Sequence, residues 1–214
     1  YLLEIGTEEL PAGFLATAPA ELAEKVKTLL AEEHLPCDSV CVEATPRRLA
    51  LVVAGLPEEQ PPRTETLKGP PVRIALDETG KPTPAALGFA KKVGVSFEQL
   101  SQETLDGEAY LVFEQTVAGR SSRDVLVARL PEAVLGLSGS HFMRWADWEC
   151  RFSRPFRWLV SLWNTDIAPL TLGPLEAGRV SRGHRVMAQG EVSIPSAQAY
   201  PQMLEEARRR LRQQ

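Results

Sequence analysis

The stretch from residue 141 to residue 163 constrains this chain most, because it concentrates aromatic and basic side chains. It contains all four tryptophans of the sequence, together with four arginines interleaved with phenylalanines. Such alternation is typical of surfaces that bind phosphates and stack on bases, but a folded core also collects aromatic side chains. Residues 155–163 alternate with the period of a β-strand, which favours a core role for one face of that strand. That face holds Phe156, Trp158, Val160 and Leu162.

The remaining pattern predicts an α+β fold, with a mixed or antiparallel sheet and flanking helices. Apolar runs indicate strands at residues 2–5, 40–44, 49–56 and 167–172. Apolar positions at helical spacing indicate helices at residues 19–34 and 121–137 and a last one capped by Ser196. The strand at 49–56 is apolar on both faces, so it is predicted to be central. Pro131 is expected to kink the second helix or to start a new turn.

Residues 61–119 are predicted to form a small helical module inserted into a main α+β body of residues 1–60 and 120–214. The stretch Pro57–Pro71 is rich in Pro, Glu and Thr and is predicted to be an extended connector. The pattern after it predicts a helix from Pro84 to Gly94, a capping box at Ser96 and Gln99, and a strand over residues 110–117.

Charge is distributed unevenly along the chain, whose net charge is −4. Residues 1–60 carry 4 basic and 11 acidic side chains, whereas residues 141–214 carry 11 basic and 7 acidic ones. A basic last third favours a surface that faces a polyanion. Chance segregation of solvated charges is the alternative.

Cysteine and histidine usage argues against a structural metal or disulfide framework. The three cysteines lack C-x-x-C spacing and the three histidines are scattered, so no metal ligand is predicted. A reducing, cytoplasmic setting is expected. No apolar run approaches the length of a membrane span, so no membrane partner is expected.

Six arginines are the candidate phosphate contacts. The loop Gly178–Arg185 contains two glycines and no acid, so its backbone can approach a phosphate that arginine forks then bind. The arginines near the start of the predicted strand are a second group, with surface salt bridges as the alternative. Together the predicted binding residues are Arg144, Arg151, Arg154, Arg179, Arg182 and Arg185.

A second set of residues is predicted to be structural. Arg47 and Arg48 lie in a turn before a strand and are expected to pair with Glu8 or Glu9, fixing two loops together. Trp145 and Trp158 are expected to anchor the fold. The sequence contains no phosphate-binding glycine loop, zinc-binding H-E-x-x-H pair or nucleophile elbow, so no catalytic residue is predicted.

Seven segments occur in an order that resembles the β subunit of the bacterial two-subunit glycyl-tRNA synthetase. They are EIGTEELPA (Glu4–Ala12), ATPRRLA (Ala44–Ala50), KGPPV (Lys68–Val72), GFAKKVGV (Gly88–Val95), MRW (Met143–Trp145), RFSRPFRWLV (Arg151–Val160) and RGHR (Arg182–Arg185). They are distributed along nearly the whole chain, and together they are highly specific. One departure is Ala146, where the family often has glycine.

The resemblance implies an N-terminal fragment of a longer β subunit, since that subunit's later domains are absent here. It also implies that the α subunit holds the active site and binds ATP and Mg²⁺, so that no cofactor is expected in this chain. The expected partners are the α subunit, tRNA(Gly) and the remaining β-subunit domains, in an α2β2 assembly. The alternative function is a scaffold that docks other synthetase domains without contacting tRNA, and hydrolytic editing is the least favoured.

Overall fold

The computed structural model describes residues 1–139, 142–144, 151–183 and 190–203, with only the backbone described at residues 143 and 144. The chain divides into two compact units. The main unit comprises Tyr1–Gln60 and Arg120–Gln214, and the inserted unit comprises Pro61–Gly119.

A five-stranded antiparallel sheet organises the main unit, with strand order β10-β9-β1-β3-β2. Its strands are β1 (Leu2–Thr7), β2 (Ser39–Thr45), β3 (Arg48–Ala54), β9 (Phe156–Trp163) and β10 (Asp166–Ile167). The long strands β1, β3 and β9 consist mostly of apolar residues, and both faces of each strand are largely buried. The predicted central position of β3 is confirmed, since it lies between β1 and β2.

Two helices cover one face of the sheet: α1 (Ala12–Glu32) and α4 (Ser122–Leu135). Their buried side chains, such as Leu22 and Leu126, pack with alternate residues of β1, β3 and β9 in the larger core. Phe14 of α1 adds an aromatic cluster, with its ring centroid 5.4 Å from that of Phe152. The α1 and α4 face is therefore a continuous apolar layer.

A strap, which we define as residues 178–183 and 190–203, packs on the other face. It contains the short strands β13 (Val180–Arg182) and β14 (Glu191–Ser193), which pair antiparallel. A smaller core unites the strap with the sheet and contains Leu2, Ala50, Trp158, Val160, Leu162, Ile194, Ala197 and Tyr200. The sheet is thus covered on both sides by different kinds of structure.

Two further pairs of short strands belong to the main unit. Antiparallel ribbons form between β7 (Met143–Arg144) and β8 (Arg151–Phe152), and between β11 (Thr171–Leu172) and β12 (Leu175–Glu176). The predicted strand over 167–172 is therefore right only in part, because just Asp166–Ile167 pairs with β9. Among the described residues, no helix is long and apolar enough to span a membrane.

The inserted unit is built on a three-stranded antiparallel sheet of order β4-β6-β5. The strands are β4 (Arg63–Pro71), β5 (Ser101–Leu105) and β6 (Glu108–Val117), with helices α2 (Val72–Ala75) and α3 (Pro84–Val93) and a 3-10 turn at Phe97–Gln99. The prediction of a connector over Pro57–Pro71 is wrong for residues 63–71, because Arg63–Pro71 is an edge strand. Prolines are tolerated on an edge, where their missing N–H groups need no partner.

The chain leaves and re-enters the main unit at adjacent points. Gln60 donates its backbone N–H to the carbonyl of Arg120 at 2.9 Å, and the Arg120 N–H returns a bond to the Gln60 side chain at 3.0 Å. Glu33, at the end of α1, accepts from the Arg120 guanidinium at 2.7 Å and pairs with Arg129. Burial raises the pKa of Glu33, but its bonds to these arginines outweigh burial and lower it overall.

Comparison with the sequence predictions confirms the α+β class and the antiparallel sheet. The first helix was predicted to begin at Pro19, whereas it begins at Ala12 and runs through that proline. Phe14, Ala18 and Leu22 form one buried stripe across Pro19, so packing outweighs the loss of one helical hydrogen bond. Pro131 also lies inside its helix, α4.

Candidate functional site

Several sequence motifs meet at one end of the main sheet, which we call the arginine end. In the strand register, Gly6 of β1 lies opposite both Arg48 of β3 and Trp158 of β9. The next residue, Thr7, donates its N–H to the Arg47 carbonyl at 3.0 Å. The end of β1 and the starts of β3 and β9 therefore bring arginines from distant parts of the chain together.

A buried carboxylate lies just inside the arginine end. Glu4 is 0% exposed, and its Oε1 accepts from the Trp158 indole N–H at 2.6 Å and from the Ser181 hydroxyl. Its Oε2 accepts from the Tyr200 hydroxyl and lies 3.5 Å from Nη1 of Arg48. We call these five residues the Glu4 cluster. Both carboxylate oxygens have partners, as a buried charge requires.

The Trp158 ring is fixed in the cluster by sterics as well as by its hydrogen bond. A Cβ atom at Gly6 would lie only 1.9 Å from this ring, so the ring lies directly against the glycine backbone. Two guanidinium carbons lie near the ring centroid, Arg48 at 5.7 Å and Arg182 at 5.9 Å. These distances are within the range of cation–π attraction.

The Tyr200 phenol remains a donor in this environment. Burial raises its pKa above the ordinary value of 10.0, and the negative charge of Glu4 raises it further, while Arg48 acts in the opposite direction. The neutral phenol therefore donates its proton toward the carboxylate at ordinary pH. Because Tyr200 and Ser181 belong to the strap, Glu4 ties the strap to the sheet.

Two of the six arginines predicted to bind phosphate are engaged by backbone carbonyl groups. Arg154 is half-buried and donates to the carbonyls of Glu9 and Ser153, both at 3.0 Å. Arg179 donates to the carbonyls of Thr165 at 2.9 Å and of Pro195 at 3.4 Å. Their guanidinium groups hold loops together.

Two others, Arg151 and Arg182, are exposed. Within the described part of the chain, neither guanidinium has a carboxylate oxygen within 4.0 Å. Arg182 lies over Trp158 at the arginine end, whereas Arg179 contacts the turn beyond the far end of β9. The structure therefore separates Arg179 from Arg182, although the two are close in sequence.

Arg151 is the cross-strand partner of Arg144 in the β7–β8 ribbon. Like charges placed directly opposite each other destabilise a strand pair unless an anion compensates them. The Arg144 side chain, Trp145 and Arg185 lie outside the described residues, so their predicted roles remain predictions.

The expected pairing of Arg47 or Arg48 with Glu8 or Glu9 is replaced by different partners. Arg48 pairs with Glu4, and Glu8 pairs with Arg157 at 2.5 Å. Thr7 is the last residue of β1, so Glu8 lies beyond the strand, whereas Glu4 lies inside it on the Arg48 side. The two described tryptophans of the 141–163 stretch do not form a surface for base stacking, since Trp158 and Trp163 are each 8% exposed.

Sequence reasoning missed Glu4, Ser181 and Tyr200. One signal was present: Glu4 interrupts an otherwise apolar strand that is buried on both faces. A carboxylate in such a position requires internal donors. Its donors could not be identified from sequence, because they lie 154 to 196 residues away along the chain.

Comparison with known proteins now gives the family. The family model described as glycyl-tRNA synthetase beta subunit matches residues 1–213. The chain belongs to this family. It is similar to the glycine–tRNA ligase beta subunit of Picosynechococcus sp., with 46% identity over 97% of this chain and 30% of that protein.

Other relatives agree with this family assignment. The glycine–tRNA ligase beta subunit of Moorella thermoacetica is 42% identical over 96% of this chain and 30% of its own length. That of Trichlorobacter lovleyi is 41% identical over 90% of this chain and 28% of its own length. The chain therefore spans about 30% of the length of the curated relatives it matches.

Proposed function

We propose that this chain is part of the β subunit of a glycine–tRNA ligase and contributes to tRNA binding and to assembly with the α subunit. In this proposal the α subunit binds ATP and Mg²⁺ and carries out the chemistry, and an α2β2 complex attaches glycine to tRNA(Gly) in the cytoplasm. The chain itself contributes positively charged side chains at fixed positions and no catalytic group.

The observation that supports tRNA contact is the contrast between the arginines. Arg151 and Arg182 are exposed and lack a carboxylate partner among the described residues. An exposed guanidinium held by its surroundings loses little conformational freedom on binding a phosphate, and it can bind two phosphate oxygens at once. Arg154 and Arg179, whose guanidinium groups are bound to carbonyls, are assigned to holding loops instead.

The test is a salt titration of tRNA(Gly) binding to the full-length β subunit in complex with the α subunit. Replacing Arg151 or Arg182 with alanine is expected to weaken binding about tenfold, because each removes a charge-assisted contact. Each change is also expected to reduce the slope of log affinity against log salt by about one.

The matched control is Arg123→Ala, which removes one positive charge from a partly exposed position at the start of α4. Its affinity for tRNA is expected to stay near that of the unmodified protein. Unchanged affinity in the Arg151→Ala/Arg182→Ala double variant would contradict the phosphate assignment.

The second candidate is an assembly scaffold that docks other synthetase domains without contacting tRNA. The carbonyl-bound Arg154 and Arg179 favour it, since they show that arginines of this chain fasten loops. Size-exclusion chromatography of the same variants separates the two functions. If the double variant fails to form the complex with the α subunit, the scaffold function is supported; if the complex forms but tRNA binding is lost, tRNA contact is supported.

A further inference from the structure

We propose that Glu4 is a positioning residue for tRNA binding, because it fixes where the Arg182 guanidinium meets the RNA backbone. This inference rests on the proposed function and deepens it. Glu4 is fully buried, so it cannot touch the RNA itself. It acts through the residues that surround Arg182.

Three links from the Glu4 cluster converge on Arg182. The preceding residue, Ser181, is 3% exposed and donates its hydroxyl to Glu4. The Arg182 carbonyl accepts from Nη2 of Arg48, whose Nη1 lies 3.5 Å from Glu4. The Arg182 guanidinium lies 5.9 Å from the Trp158 ring centroid, and the indole N–H of that ring donates to Glu4.

Each link fixes a different part of Arg182. The Ser181 bond holds the residue before Arg182, and the Arg48 bond holds the Arg182 carbonyl. The Trp158 ring supports the Arg182 side chain. An arginine that is free to rotate loses much of its rotamer entropy when a ligand immobilises it. Glu4 contacts all three supporting residues. Its loss is therefore expected to let both the backbone position and the side-chain rotamer of Arg182 vary.

The sign of the effect distinguishes positioning from simple electrostatics. A carboxylate near bound RNA repels phosphate, so removal of its charge is expected to strengthen binding if charge alone matters. If Glu4 positions Arg182, its removal weakens binding instead. Glu8 provides the matched control, because Glu8→Gln removes one negative charge at the same end of the sheet, where Glu8 pairs with Arg157.

The experiment measures tRNA(Gly) affinity of the full-length β subunit, in complex with the α subunit, for Glu4→Gln, Glu8→Gln, Arg182→Ala and the Glu4→Gln/Arg182→Ala double variant. Glu4→Gln is expected to weaken binding about tenfold, to the level of Arg182→Ala. The double variant is expected to be no weaker than Arg182→Ala alone, because both changes remove the same contact. Glu8→Gln is expected to leave affinity unchanged or raise it.

The proposal is overturned if Glu4→Gln binds tRNA as well as the unmodified protein, or if its effect multiplies with that of Arg182→Ala. If Arg182→Ala alone has no effect, the phosphate assignment itself fails, and the positioning role fails with it. A loss with Arg182→Ala but not with Glu4→Gln defeats only the positioning role.

A milder variant keeps the test decisive if Glu4→Gln does not fold. Ser181→Ala removes one of the three links and leaves the buried carboxylate with its other partners. It is expected to weaken binding about threefold in the unmodified background and not at all in the Arg182→Ala background. Unchanged affinity for Ser181→Ala in the unmodified background would overturn the proposal.

Discussion

The two faces of the main sheet are stabilised in different ways. The face under α1 and α4 is a large apolar layer, in which side chains such as Leu22 and Leu126 are 0% exposed. The face under the strap has a smaller apolar core and a fully buried carboxylate with four partners. Both faces exclude water, but the fully buried carboxylate and its bonds lie on the second one.

This difference shows that one face of the sheet mainly stabilises the fold, whereas the other also fixes the position of the strap. Apolar contacts are non-directional, so the helix face tolerates small shifts of its helices. Hydrogen bonds to Glu4 require each donor at a defined distance and angle, so they fix the strap in one position. The residues that need a fixed position, Trp158 and Arg182, lie on the side that holds the bonds to Glu4.

The largest expected effect compares two nearly isosteric substitutions, one on each face. Glu4→Gln replaces one acceptor oxygen with an NH2 group that faces buried donors, and it leaves Arg48 without its charge partner. It is expected to lower the free energy of unfolding by about 3 kcal/mol. Leu126→Met keeps the volume and polarity of its site and is expected to cost less than about 1.5 kcal/mol.

Urea unfolding of the two variants beside the unmodified protein measures this contrast. Equal losses in the free energy of unfolding for Glu4→Gln and Leu126→Met would contradict the distinction between the two faces. A larger loss for Leu126→Met would reverse it.

A smaller effect is expected when one donor of the Glu4 cluster is removed. Tyr200→Phe deletes the hydroxyl that donates to Glu4 and leaves a well-packed ring. The loss of a bond to a charged acceptor is expected to lower the free energy of unfolding by about 1.5 kcal/mol at pH 7. In combination with Glu4→Gln, the two losses are expected to be less than additive.

The same variant gives a pH dependence with a defined sign. The folded-state pKa of Tyr200 is raised above 10.0, mainly by burial, so the folded state retains the proton more strongly than the unfolded chain does. This stabilisation is complete below pH 10 and is lost as pH rises above it. The stability difference between the unmodified protein and Tyr200→Phe is therefore expected to shrink above pH 10, as followed by urea unfolding. A difference that stays constant to pH 11 would contradict the assignment.

The smallest expected effect on stability is that of Arg182→Ala. Among the described residues its exposed guanidinium makes a cation–π contact with Trp158 and no ion pair, so the free energy of unfolding is expected to fall by about 0.5 kcal/mol. The substitution leaves the Arg182 carbonyl available to Arg48. A loss above about 2 kcal/mol in urea unfolding would show that Arg182 supports the fold of the strap and is not primarily a binding residue.

The sequence predicted the class and the main strands because their signals are local. Alternating apolar residues identified β9, and Trp158, Val160 and Leu162 do share a face. Phe156 does not follow them and packs against the helix-side core, because a bulge shifts the register between Gly6 and Thr7. A single extra residue in a strand moves all side chains beyond it to the opposite face of the sheet. Periodicity alone cannot locate that residue.

The candidate site was less predictable than the fold because its contacts are long-range. Arg154 and Arg179 had the same sequence signals as Arg151 and Arg182, yet carbonyl groups from other loops engage the first two. Glu4 was missed because its donors come from β9, β13 and the end of the strap. The edge strand Arg63–Pro71 was also missed, because its polar, proline-containing composition resembles a loop until β6 pairs with it.

The adjacent positions of Gln60 and Arg120 have a consequence for chain entropy. When the two ends of an inserted segment are neighbours, the segment is a closed loop as far as the chain entropy of the main unit is concerned. The cost of closing a flexible loop rises only with the logarithm of its length, by about 0.6 kcal/mol for each doubling. The bonds of Glu33 and Gln60 at this junction hold the loop closed, so the length of the inserted unit can vary with little effect on the sheet.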